Sequence, residues 1–202
     1  MSLEKFNLTG QFLIAMPAMT DPYFSKTVTY ICTHNQDGAM GVIINRHSDI
    51  TVAKLFEQIK LQTESLSLLT KAVHYGGPVQ TERGFILHTI LPAPHDEFNS
   101  TVVINNAVAL TTSKDILEAV AENKVVKNNV PNKMLIALGY AGWTAGQLED
   151  EMAQNAWLSL KTGLIEEAQA LIFDAPNDDK FDLAMGMMGL NVANFSHSAG
   201  HA

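Results

Sequence analysis

The sequence predicts an α+β fold built on a mixed β-sheet, in one domain covering residues 1–202. Three observations carry this. Hairpin-linked strands crowd the first third of the chain, strands and helices alternate later, and no Pro/Gly-rich linker separates two cores. Composition agrees. Hydrophobic residues make up 47% and charged residues only 17%, against about 25% charged in an average globular protein. That balance excludes a disordered chain and leaves enough apolar side chain for a sizeable core. With 13 Lys+Arg against 21 Asp+Glu, the net charge of −8 argues against a broad phosphate-gripping face.

Phe12–Met16 reads as a strand, stopped by Pro17. This apolar run is too short for a signal sequence or a membrane span, and Glu4-Lys5 gives no basic region ahead of it. A soluble cytoplasmic protein is expected. Thr27–His34 alternates, with Val28, Tyr30 and Cys32 on one face. Asn35-Gln36-Asp37-Gly38 forms a hairpin turn into a third strand, Ala39–Asn45. Val52, Leu55, Phe56 and Ile59 fall on one helical stripe, with Thr51 as N-cap. Lys60–Lys71 is polar and reads as a surface loop.

Strands resume at Ala72–Tyr75 and Gly84–Ile90, separated by Gly76-Gly77-Pro78. Leu91–His95 is an irregular connection, then Thr101–Ile104 and Ala107–Leu110 read as extended. Thr112-Ser113-Lys114-Asp115 has capping-box spacing and predicts a helix to Ala121. Met134–Leu138 reads as a buried strand, with Gly139–Trp143 turning out of it. Thr144 and Gln147 have the spacing of a second capping box, for a helix to Asn155. Its early acids, Glu149, Asp150 and Glu151, suit the helix dipole. Trp157–Leu160 and Ala170–Phe173 read as short strands. The last helix, Asp178–Met188, puts Phe181, Ala184, Met185 and Met188 on one stripe.

Candidate ligand-binding residues cluster at glycines. Gly139, Gly142 and Gly146 lie between a strand and a helix, where backbone amides hold anions. The acids downstream oppose a phosphate, and the same glycines serve a tight turn making room for Tyr140 and Trp143. Gly76, Gly77 and Pro78, with Arg83 nearby, form a second corner; the alternative there is a loop with Arg83 paired to Glu82 or Asp96. Asn45, Ser113 and Gln147 complete the set.

Catalytic signals are weak. Cys32, the single cysteine, excludes an intrachain disulfide and reads as a buried thiol. Its spacing from His34 on one strand, about 6–7 Å, is too long for a direct hydrogen bond. His197 and His201 have helical metal-ligand spacing, but Gly200 opposes a helix and no third ligand is evident. His34, His47, His74, His88 and His95 show no ligand spacing. Neither a metal nor a cofactor is implied. Lys124, Lys127 and Lys133 are the densest basic group, too few to grip nucleic acid.

Several ordered blocks carry a family resemblance. They include Gly10-x-Phe12-Leu13-Ile14-Ala15-Met16-Pro17, Tyr30-Ile31-Cys32-x-His34-Asn35-x-Asp37-Gly38, Gly76-Gly77-Pro78-Val79 and Arg83-Gly84-Phe85. Leu138-Gly139-Tyr140-Ala141-Gly142-Trp143-x-x-Gly146-Gln147-Leu148-Glu149 is the most telling. Over nearly its whole length the chain resembles the YqgE/AlgH family of bacterial proteins. The resemblance implies a mixed, curled sheet flanked by helices and a cytosolic bacterial protein. It implies no reaction, cofactor or catalytic residue, although members are often labelled transcriptional regulators. His47 departs from the family, which often has Pro there.

Three functions are expected, in this order. The first is a regulatory or binding protein acting through a protein or small-molecule partner. The second is a hydrolase or nuclease-like enzyme using the acids, or Asn45, Ser113 and His88. The third is direct DNA binding, which only the family label suggests and the charge opposes. Met152, Met185, Met187 and Met188 offer adaptable apolar area that leaves room for a homodimer.

Overall fold

The computed structural model describes residues 6–90, 98–122 and 130–191. Strands β1 (Phe12–Ala15), β2 (Val28–Asn35) and β3 (Gly38–Ile43) come first. β2 and β3 make the expected hairpin: Asn35 pairs with Gly38, which takes a φ of 130°. β4 (His47–Thr51) leads into α1 (Val52–Gln58), where the Thr51 hydroxyl accepts from the Lys54 amide as an N-cap. Then come α2 (Leu66–Leu69), β5 (Ala72–Tyr75), β6 (Val79–Thr89), β7 (Thr101–Val103), β8 (Val108–Thr111) and α3 (Asp115–Ala121). β9 (Met134–Thr144), α4 (Gln147–Ala153), β10 (Trp157–Leu160) and α5 (Ile165–Gln169) follow. A π-helical turn (Ala170–Asp174) and α6 (Lys180–Met187) complete the described chain.

The strands form one curled sheet in the order β10-β1-β2-β3-β9-β6-β8-β7. β5 adds a parallel partner to β9, with His74 opposite Ala137, and β4 pairs with β5. The other pairings are antiparallel, so the sheet is mixed, as expected, through this one parallel contact. β9 is the hub. Its first half pairs with β5 and β6, and its last four residues pair with β3. Helices cover both faces. α5, the π-turn and α6 bury Ala168, Leu171, Ile172, Phe181, Ala184 and Met185 with Phe12, Tyr30 and Leu87. α1, α2 and α3 bury Val52, Phe56, Leu68 and Ile116 against Val73, Ile86 and Ile136. α4 closes a third cluster around Trp143 and Trp157.

Several local expectations are corrected. Lys60–Lys71 contains α2, because Leu68 finds a buried site beside α1. Gly139–Trp143 is no exit turn: Gly139 takes a φ of 74° and β9 continues through it to Thr144. Thr112 makes no capping box. α3 starts later, and Ser113 bonds to Asn99 O and Asp115 Oδ1 instead. Gln147 Oε1 does accept from Thr144 N, but the Thr144 hydroxyl donates to the same side-chain oxygen rather than accepting from the helix. Ala170–Phe173 is not a strand but a π-turn, closed by the bond from Ala175 N to Ala170 O. β2 is buried on both faces, since Ile31 enters the tryptophan cluster while Cys32 faces the main core. The Leu91–His95 connection, His95, Asp96, Lys124, Lys127, His197 and His201 lie outside the described residues.

Candidate functional site

Lys180 is the anomaly from which the site is built. A lysine is almost never fully buried without a partner, yet Lys180 is only 2% exposed. The chain places it there through local geometry. The π-turn ends at Ala175, held extended as the residue before Pro176 must be. Pro176 O then accepts from Asp179 N and Lys180 N, starting α6 with Lys180 on its inner face. The Lys180 ammonium donates to Ile44 O, just past β3, and to Ile172 O in the π-turn, both at 2.8 Å. Among the described residues it has no carboxylate partner. Burial lowers its pKa to about 8.

Lys180 borders a cavity of about 480 Å³ between the β4–β5 pair, β9 and the 172–180 segment. That volume lies within the usual range for small-molecule sites, about 300–1,000 Å³. Across the cavity, His47 and His74 face each other in direct cross-strand register. Their rings stack at 5.4 Å. The Asn177 amide sits between them, its Nδ2 3.0 Å from His47 Nε2 and 2.8 Å from His74 Nε2. An Asn Nδ2 has two hydrogens, so it donates to both rings when both Nε2 atoms are unprotonated. His74 Nδ1 is then buried beside the Ile136 backbone without reaching hydrogen-bond geometry. Burial, opposed by the Asn177 bond and reinforced by the Lys180 and His47 charges, lowers the His74 pKa to about 4. Lys71 and Asp178 also line the cavity.

This arrangement predicts an acid limit on stability. His74 folds with a pKa near 4 against about 6.5 unfolded. The unfolded chain therefore binds more protons across that window, and stability falls as pH drops through it. Urea unfolding from pH 7 to 4 should show a loss about 3 kcal/mol larger in the native protein than in His74→Gln. Equal pH profiles would reject a neutral buried His74. His88 is also held low by burial, so part of the loss remains in the variant.

The residues singled out by sequence fall elsewhere, in separate groups. Asn45 accepts from Val28 N at 2.8 Å and donates to Lys26 O at 2.9 Å, pinning the turn before β2. Arg83 donates to Thr112 Oγ1 at 3.2 Å and lies over the Phe85 ring; it makes no ion pair with Glu82. The two glycine corners do meet, backbone against backbone. A Cβ on Gly76 would sit 2.2 Å from Gly139 O. Pro78 is exposed beyond that corner, Tyr140 packs tilted against Phe85, and Gly142 lies under the Tyr140 ring. Trp143 and Gln147 converge on Glu151. Its carboxylate accepts from Trp143 Nε1, Trp157 Nε1 and Gln147 Nε2.

The other chemical candidates also have structural partners. Cys32 is buried, its Sγ near Tyr30 O, and burial pushes its pKa up to about 12. His34 accepts from Leu8 N and shares its Nε2 proton with Glu149, so it forms no dyad with Cys32. His88 bonds to Thr89 O and Thr111 Oγ1. Asn45, Ser113 and His88 therefore do not bond to one another. Asp174 accepts from Lys133, while Glu149 and Glu151 bond to other partners. Among the described residues, no group of three His, Cys, Asp or Glu side chains could hold a metal ion. Of the four methionines named for a dimer face, Met185 is buried, Met152 and Met188 pack partly into the cores, and Met187 is exposed.

A signal for the site was present in the sequence. Lys180 lies four residues before Ala184, on the flank of the stripe formed by Phe181, Ala184 and Met185. The His47–His74 pairing had no such signal, because it depends on strand register.

A family model described as AlgH-like matches residues 12–193. A UPF0301 protein of Thiobacillus denitrificans is 49% identical over 200 residues, covering 99% of this chain and 100% of that protein. A UPF0301 protein of Azoarcus is 47% identical, covering 97% of each. The solution structure of AlgH from Pseudomonas aeruginosa is similar over 100% of both chains, with 39% identity and a TM-score of 0.74. The crystal structure of protein DIP2367 from Corynebacterium diphtheriae shares the fold at 21% identity, with a TM-score of 0.64 over 88% of this chain and 85% of that one.

Proposed function

The chain belongs to the AlgH-like family, and for this member we propose a cytoplasmic binding role, in which the Lys180 cavity takes a small molecule bearing a carboxylate or phosphate. The single observation behind this reading is a buried cation with no carboxylate partner among the described residues. A charge held away from water is costly unless an opposite charge or a full set of hydrogen bonds offsets it. Two carbonyls satisfy two of the three ammonium hydrogens. An anionic ligand would supply the third acceptor and the missing charge. Asn177 and the two imidazoles add polar groups that orient it, while Val52, Leu68 and Ile172 offer apolar lining.

Titration calorimetry with phosphate, acetate and di- and tricarboxylates tests the reading. We expect one of these classes to bind, with at least roughly tenfold weaker affinity in Lys180→Met. Asn177→Ala, which removes no buried charge, serves as a second variant and should weaken binding severalfold. Saturation at about 100 times Kd should add about 2.7 kcal/mol to stability. No binding up to millimolar anion, or equal binding by both variants, would sink the reading.

A hydrolytic reading on Asn45, Ser113 and His88 has less support, because each side chain bonds to different partners. Direct DNA binding is opposed by the net charge of −8. Among the described residues, no helix is long and apolar enough to cross a membrane.

A further inference from the structure

We propose that Lys180 is a nucleophilic amine that condenses reversibly with carbonyl compounds carrying an anionic group, such as 2-oxo acids, inside the cavity bordered by His47, His74 and Asn177. This rests on the anion-binding reading of the same cavity and extends it from binding to covalent capture.

A neutral amine has two N–H bonds and one lone pair in tetrahedral arrangement. Ile44 O and Ile172 O each accept one hydrogen at 2.8 Å. The remaining direction has no acceptor among the described residues, and the cavity is the open space that Lys180 borders. The two carbonyls thus hold the amine in one orientation without occupying its lone pair. Surface lysines have no such constraint and stay protonated.

The charge state agrees with the geometry. Burial lowers Lys180 to about 8, while an ordinary lysine stays near 10.4. At pH 7.5 the neutral fraction of Lys180 is about two hundred times that of an exposed lysine. A desolvated lysine of this kind is a recognised route to an activated amine nucleophile. The groups facing the cavity from other elements are His47 on β4, His74 on β5, and Lys71 and Asp178 at its margin.

The chemistry balances without an oxidant or reductant. The Nζ lone pair attacks the carbonyl carbon, forming the N–C bond as the C=O π pair moves to oxygen. One proton passes from nitrogen to that oxygen, giving a carbinolamine. A second proton, delivered through His47, converts the hydroxyl to water, which leaves as the C=N bond forms; the resulting iminium returns its N–H proton by the same route. The products are one imine and one water. His47, the more exposed of the two imidazoles, is placed to carry protons between the cavity and solvent.

Glyoxylate with cyanoborohydride tests the proposal, since reduction of the imine leaves a carboxymethyl group on the amine. Peptide mapping by mass spectrometry then reads each lysine separately. We expect Lys180 to be modified at least tenfold faster than any exposed lysine at pH 7.5, with a midpoint near pH 8 in its own pH profile. Lys180→Met should lose that adduct and keep the slow labelling of other amines, including the α-amino group. Should Lys180→Met fail to fold, the pH profile of the native protein still decides. Labelling confined to exposed lysines and rising only above pH 9 would overturn the proposal. If acetate or phosphate still binds in that case, only the covalent step falls; if neither binds, the anion reading falls with it.

Discussion

Gly77→Ala is expected to leave little folded protein, lowering the unfolding free energy by more than about 4 kcal/mol. The added Cβ would lie 2.1 Å from Tyr140 C, 2.3 Å from Tyr140 O and 2.4 Å from Ala141 N. All three are backbone atoms, so no rotamer change relieves the overlap. Nor is retreat available to either strand. Val79 pairs with Tyr140 on one side, and Gly41 pairs with Ala141 on the other. Gly77 also takes a φ of 149°, which a side chain disfavours. Native proteins are stable by only about 5–15 kcal/mol, so a loss of this size removes much of the margin. Gly146→Ala is the contrast. It too has positive φ, 78°, but nothing lies within 4 Å of its Cβ. Its cost should be the backbone strain alone, about 1 kcal/mol. Urea denaturation followed by circular dichroism separates the two. A Gly77→Ala protein within about 1 kcal/mol of native would show that the β5–β6 corner relaxes away from β9.

The second large effect is expected at Glu151. Its Oε2 accepts from Trp143 Nε1 at 2.9 Å and Trp157 Nε1 at 2.8 Å, and its Oε1 accepts from Gln147 Nε2 at 2.8 Å. The two indoles are 6% and 4% exposed, so neither N–H can turn to water. Glu151→Leu strands both donors, each at about 1–3 kcal/mol, for a total of about 3–5 kcal/mol. Glu151→Gln keeps one acceptor oxygen and should lose less. The readout is direct, because Trp143 and Trp157 are the two tryptophans of the chain. Their emission should shift as the carboxylate leaves the indole N–H groups. Stability within about 0.5 kcal/mol of native, with unchanged emission, would mean the carboxylate does not hold this corner.

These two effects show how far the sequence could be read. The first hairpin, α1 with its Thr51 cap, and the buried stripe of α6 follow from periodicity and turn chemistry, which act over a few residues. Gly76-Gly77-Pro78 and Gly139 stood out in the sequence as corners that hold an anion or turn the chain. What comes close is another part of the same chain: Gly77 against Tyr140, and Gly76 against Gly139. A sequence shows the need for space at a glycine but not what fills it. The early acids of α4 were likewise legible as favourable to the helix dipole. Their partners were not, since Glu149 meets His34 across 115 positions of sequence.

The cavity marks the same boundary more sharply. Its histidines sit on β4 and β5, its amide and amine on the 177–180 segment, and its capped carbonyls beyond β3 and in the π-turn. Local composition determined that the chain forms an acidic, lightly charged α+β protein with strands and helices close to where the patterns put them. It also placed Lys180 within reach of a buried stripe. Only the tertiary structure decided that Lys180 would be buried without a counter-charge among the described residues, and that two imidazoles and an amide would line the same cavity. The physical reason is that helical and strand periodicity arise from neighbours three, four or two residues apart, whereas the charge environment of a buried group arises from whatever the folded chain packs around it.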